Sequence, residues 1–181
     1  MLKGLIILEN GFEDSEALVT NDLLKRAGIK MDNASIYKRD IVSQSGIKVT
    51  TDMLLKDIKN LSDYSFLVLP GGRAVFEVLD KSKEIDDLID YFYLNKKMIC
   101  AICAAPLLIG KRGYFKNLKY TCFPGCEEKI TSGERLNQGV VSDGMFVCAK
   151  AAYYSTSFAL EIVKRLNLDN VILEERFKGN L

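Results

Sequence analysis

The chain has 181 residues, a formal net charge of +1, 48% hydrophobic and 27% charged residues. Such a length suits a single domain over residues 1–181 with a sizeable core. Balanced charge without a concentrated basic patch gives no reason to expect nucleic acid as a partner. No apolar run approaches the roughly 20 residues of a bilayer-spanning helix, so no membrane is expected, and the short apolar start reads as a first strand, not an export signal. Histidine is absent, and there are five cysteines. The missing imidazole excludes Ser-His-Asp and Cys-His catalysis within one chain and every metal site that needs histidine. Cysteines in odd number without an export signal fit reduced thiols in a cytoplasmic protein.

Residues 4–8 form a continuous apolar run, expected of a parallel strand covered on both faces. After a turn at 10–14, residues 15–26 carry Ala17, Leu18, Leu23 and Leu24 at helical spacing, with Gly28 placed to end that helix. Residues 29–37 hold a second strand. Segments 41–43 and 47–51, either side of Gln44-Ser45-Gly46, form a small hairpin, and 54–61 form a short helix. The strand 65–69 stops at Pro70-Gly71-Gly72 and is followed by helices at 74–79 and 85–94. The strand 98–102 breaks at Cys103, through Ala104 and Ala105, into a helix begun by Pro106. Residues 118–123 form a further strand, 140–142 and 145–148 a hairpin around Asp143-Gly144, 154–166 an amphipathic helix, and 171–177 a last turn of helix. Three buried strands, each followed by helical sequence, predict an α/β fold with an open, mostly parallel sheet and helices on both faces.

In such sheets ligands bind beyond the carboxyl ends of the strands. Three turns leave those ends here, so Glu16, Gly71-Gly72 and Cys103 are expected to meet in one crevice. A cysteine where a strand breaks into a helix sits near the positive end of the helix dipole, which favours the thiolate and makes Cys103 a nucleophile or an oxidation site. The same window also fits a buried, inert structural cysteine. The N–H groups of Gly72 and Ala104 would form a two-donor oxyanion hole, although a Gly-Gly turn is also what positive φ requires. Glu16 serves only the helix dipole unless it points into the crevice. There, desolvation would raise its pKa and suit it to acid–base work beside Cys103. Cys100 and Cys103 form a Cys-x-x-Cys, but Cys100 falls inside the strand, away from where a redox pair sits. Cys122 is placed near the site, able to resolve a sulfenic acid on Cys103. Cys122 and Cys126 lack the paired spacing of a zinc site, so neither metal nor cofactor is expected. Cys148 reads as core.

The segments Leu69-Pro70-Gly71-Gly72, Ala101-Ile102-Cys103-Ala104-Ala105-Pro106 and Glu13-Asp14-Ser15-Glu16 together resemble the ThiJ/PfpI superfamily, and more closely its DJ-one-like branch. The resemblance implies a flavodoxin-like three-layer sandwich, commonly a homodimer, with Cys103 as the cysteine of a nucleophile elbow. It further implies Glu16 as a protonated glutamate and Gly72 with Ala104 as oxyanion-hole amides. Relatives of this kind are described as glyoxalases or deglycases acting on small aldehydes or glycated substrates, or as oxidative-stress sensors and chaperones. A distinct branch of peptidases carries a histidine directly after the cysteine, where this chain has Ala104. The histidine that many relatives place in the pocket is here Phe123, and the Gly-Pro-Gly-Thr turn of some is Ala151-Ala152-Tyr153-Tyr154. The pocket is accordingly expected to be lined by Gly71, Cys122, Phe123 and Ala152. Two functions follow as expectations: a glyoxalase or deglycase acting on an aldehyde such as methylglyoxal, or a redox sensor whose Cys103 is oxidised without turnover.

Overall fold

A computed structural model describes residues 2–181. In chain order its elements are β1 (Lys3–Ile7), α1 (Asp14–Arg26), β2 (Lys30–Ser35), β3 (Asp40–Val42), β4 (Lys48–Thr50), β5 (Met53–Leu54), β6 (Phe66–Leu69), α2 (Ala74–Glu77), α3 (Lys83–Leu94) and β7 (Met98–Ile102). These are followed by α4 (Pro106–Gly110), β8 (Lys119–Tyr120), β9 (Glu134–Arg135), β10 (Val140–Asp143), β11 (Phe146–Ala149), α5 (Ser155–Arg165) and α6 (Asn170–Lys178). The main sheet has seven strands in the order β10-β11-β7-β6-β1-β2-β5, and only β10 runs antiparallel to its neighbour.

Successive residues of a strand point to opposite faces, and the apolar runs here are sorted accordingly. Leu5, Ile7, Leu67, Leu69, Ile99 and Ala101 pack on one face with Ile85, Leu88, Ile89 and Phe92 of α3. Ile6, Leu8, Phe66, Val68, Cys100 and Ile102 pack on the other with Leu23 and Leu24 of α1 and Phe158, Ile162 and Val163 of α5. Two cores, one on each side of a shared sheet, make a three-layer α/β sandwich. Each fully buried Leu, Ile, Val or Phe side chain contributes about 1.5–3 kcal/mol to holding the layers together.

Local physics shifts three expected elements. Residues 54–61 do not form one helix: Met53 and Leu54 pair with Ala34 and Ser35 as an edge strand, followed by single 3-10 turns at Leu55–Asp57 and Leu61–Asp63. Asn60 interrupts the segment because its side-chain oxygen accepts from the Ser62 N–H (3.1 Å) and hydroxyl (2.8 Å), a local bond that competes with helix. Of residues 118–123 only Lys119–Tyr120 is strand, paired with β9 in a separate small sheet. Beyond it the chain leaves the strand so that the Phe123 N–H can donate to the Cys103 carbonyl (2.8 Å). The last hairpin turns at Gly144-Met145, since Asp143 still pairs with Phe146; Gly144 has a φ of 55°. Among the described residues no helix is long and apolar enough to cross a membrane.

Candidate functional site

β1, β6 and β7 are adjacent and parallel, so their carboxyl ends open on one side of the sheet. The turns that leave them carry the expected residues to a single cavity of about 410 Å³, lined by Cys103, Glu16, Gly72, Ala104, Phe123 and Ala152.

Cys103 ends β7 with a φ of 64°. A side chain in this left-handed region costs about 1–2 kcal/mol. The conformation is held from both sides: the Cys103 N–H donates to the Ala149 carbonyl (2.9 Å) and its carbonyl accepts from Phe123. The thiol is partly exposed, whereas the other four cysteines are buried, and all five are free.

Glu16 lies in the first turn of α1, fully buried. Glu13 is the N-cap of that helix and accepts from the Glu16 N–H and the Ser15 hydroxyl, both at 2.7 Å. This bond orients the turn and sends the Glu16 side chain inward, under the β6 turn. There Oε2 accepts from the Gly71 N–H at 2.7 Å, while Oε1 has no hydrogen-bond partner. The Cys103 thiol lies close enough to this carboxyl for each to shift the other's titration. Burial pushes the Glu16 carboxyl up to about 7, opposed by the Gly71 N–H and the thiol and reinforced by the Glu13 charge.

The glycines between them are required by space. A Cβ on Gly71 would stand 2.7 Å from Glu16 Oε2 and 2.8 Å from Cys103 Cβ. On Gly72, whose φ is 91°, it would lie 2.4 Å from the Gly11 carbonyl oxygen. Among the described residues the Gly72 N–H donates to no other group, and the Ala104 N–H draws the Cys103 thiol down.

The structure corrects three details of the expected site. The Ala104 N–H, just before the helix that follows Cys103, favours the thiolate, but it is outweighed. Burial, then the Glu16 carboxylate and its hydrogen bonding, push the thiol well above its ordinary range instead. Cys122 does not reach the cavity wall. It is buried in the α3-side core, where its thiol donates to Glu127 (3.8 Å) and burial pushes it up to about 11 against the pull of Arg135. Gly71 stands behind the cavity, spacing Glu16 from Cys103, and is not part of its lining. Cys100 is sealed inside β7, and no group of three metal-ligating side chains gathers among the described residues.

Six further lining residues are not assigned to the pocket by sequence reasoning: Glu13, Gln44, Arg73, Phe76, Ala151 and Tyr153. Arg73 directly follows the Gly71-Gly72 turn, and the strand-end argument that selects those glycines would have reached it. Gln44 comes from the β3–β4 hairpin, whose docking against Phe12 through the Gln44 N–H (2.7 Å) is a tertiary event with no local signature.

A profile of the DJ-1/PfpI family matches residues 3–165. An uncharacterized protein of Methanocaldococcus jannaschii is 29% identical over 92% of this chain and 82% of its own length. The Parkinson disease protein 7 homolog of Danio rerio is 28% identical over 91% of this chain and 89% of its own. Among solved structures, a cysteine-to-alanine variant of a DJ-1 superfamily protein from Salmonella typhimurium superposes with a TM-score of 0.90 at 26% identity, covering 99% of this chain and 97% of the other. With the fold, the three motifs and these likenesses in agreement, the chain belongs to the DJ-1/PfpI family.

Proposed function

We propose that this protein is a cysteine-dependent glyoxalase- or deglycase-type enzyme acting on small reactive aldehydes such as methylglyoxal, or on their adducts. One observation carries the reading: the buried Glu16 carboxyl and the Cys103 thiol meet across Gly71. An added Cβ there would stand 2.7 Å from Oε2 of the first and 2.8 Å from Cβ of the second, and burial raises the carboxyl to about 7. Such a pair sets a base beside its nucleophile.

The Glu16 carboxylate takes the thiol proton as the Cys103 sulfur adds to the aldehyde carbon. The oxyanion is held by the Gly72 and Ala104 N–H groups and then protonated, giving a hemithioacetal. Glu16 next moves a proton from the former aldehyde carbon to the neighbouring carbon through an enediol, leaving a thioester. Water cleaves it to a 2-hydroxy acid and returns the thiol. One water is added overall; the aldehyde carbon is oxidised as its neighbour is reduced, so no external oxidant is needed. No imidazole takes part, because the sequence contains no histidine, and Glu16 serves every proton step.

We further propose a cytoplasmic homodimer, to be tested by sedimentation. The function is tested by lactate formation from methylglyoxal with Cys103 shown to be reduced. Turnover lost in Cys103→Ser and reduced at least about 100-fold in Glu16→Gln is expected of a general base; a reduced wild-type sample that makes no lactate overturns the reading.

A further inference from the structure

The cavity lining mixes two chemistries. Phe76, Phe123 and Tyr153 are large, exposed rings. Glu13, Gln44 and Arg73 are polar or charged. Glu13 is already committed, since Oε2 caps α1 through the Ser15 hydroxyl and the Glu16 N–H. Gln44 uses its side-chain oxygen to accept from the Arg73 N–H at 3.1 Å, which ties the hairpin to the turn and leaves the donor end of the amide uncommitted.

Arg73, unlike Glu13, is not committed: among the described residues it makes no ion pair, as is also true of Arg39, Arg165 and Arg176, but of these only Arg73 lines the cavity. Its backbone is fixed by Gln44 and lies one residue from the Gly72 oxyanion donor. An exposed arginine lining the cavity, its backbone tied to a Gln whose amide donor is uncommitted, supplies the charge and donors that hold a planar or tetrahedral anion.

We infer that this pocket selects a small electrophile carrying a carboxylate or phosphate group, with the acidic group on Arg73 and Gln44 and the electrophilic carbon at Cys103. The inference rests on Cys103 being the reacting sulfur and makes the preferred substrate an anionic aldehyde, with methylglyoxal a neutral surrogate.

Alkylation separates this charge selection from turnover. Iodoacetate and iodoacetamide form the same C–S bond with loss of iodide and differ mainly in charge. Their rates at Cys103 are measured residue by residue at pH 9 by mass spectrometry. The iodoacetate-to-iodoacetamide ratio is expected to be at least about fivefold higher in wild type than in Arg73→Gln, to be retained in Arg73→Lys, and to converge with Arg73→Gln as salt rises, since an exposed charge is screened. Equal ratios in wild type and Arg73→Gln overturn the inference, as does a difference insensitive to salt or a Cys103 that neither reagent labels. A salt-sensitive ratio without lactate formation upholds the anion site and overturns only the glyoxalase reading.

Discussion

Glu16 and Cys103 flank one missing methyl group: a Cβ on Gly71 would lie 2.7 Å from Oε2 of the first and 2.8 Å from Cβ of the second. The carboxyl arrives from the start of α1, which follows β1, and the thiol from the end of β7, and these two strands are separated in the sheet by β6. Their proximity couples the two titrations, so that a charge on either group opposes a charge on the other.

The first consequence is a pH-dependent stability. The Glu16 carboxyl is raised from 4.5 to about 7 by burial, so the folded state holds its proton more tightly than the unfolded chain. Its contribution is fully present below about pH 4.5 and is lost as pH rises through about 7, a change of about 3 kcal/mol. Denaturant unfolding at pH 4.5 and pH 8 is expected to show this loss in wild type but not in Glu16→Gln. Parallel pH profiles for the two proteins would contradict the burial argument.

Removing the carboxylate also acts on the sulfur. Burial is the larger cause of the raised Cys103 thiol and the Glu16 charge the next. Glu16→Gln is therefore expected to shift the iodoacetamide-labelling profile of Cys103 to lower pH, while still leaving it above that of a free thiol. Lactate formation should fall in the same variant. A more ionisable sulfur with less turnover separates a base from a purely electrostatic neighbour.

Gly71→Ala tests the spacing. The new methyl would meet Glu16 Oε2, Cys103 Cβ and, at 3.0 Å, the Ile102 carbonyl, an overpacking expected to cost about 1–3 kcal/mol. Gly46→Ala is the control. Its φ of 97° imposes backbone strain of about 1–2 kcal/mol, but nothing lies within 4 Å of the added methyl. Both variants should lose stability in thermal melts, and only Gly71→Ala should alter the Cys103 labelling profile.

Phe158 on α5 is fully buried in the core shared with α1 and the sheet. Phe158→Ala is expected to lower unfolding stability by about 3–5 kcal/mol through lost burial and the cavity left behind, measured by denaturant melts. A loss below 1 kcal/mol would mean that this layer repacks freely.

Much of the fold was legible because its signals are local. The runs 4–8, 65–69 and 98–102 are too apolar for any place but a strand covered on both faces, and the turns after them contain Gly71-Gly72 and Ala104-Ala105, which little else could replace. Residues 54–61 were misread because the side chain of Asn60 outcompetes a helical bond, a contest that periodicity does not register. Cys122 was misplaced because nearness in sequence to Phe123 says nothing about which wall a side chain faces. Arg73 and Gln44 were missed for related reasons: one was hidden beside two glycines, the other on a hairpin whose docking is not local.

By itself the sequence determined which chemistry was open to this protein: a thiol, a carboxyl and backbone amides, with no imidazole to assist them. Composition is a complete inventory, and it needs no coordinates. Only the tertiary structure decided the protonation of that inventory. Burial and the mutual repulsion of two groups depend on distances between residues 16 and 103, set by strand order and by a glycine between them, and no window of sequence contains both.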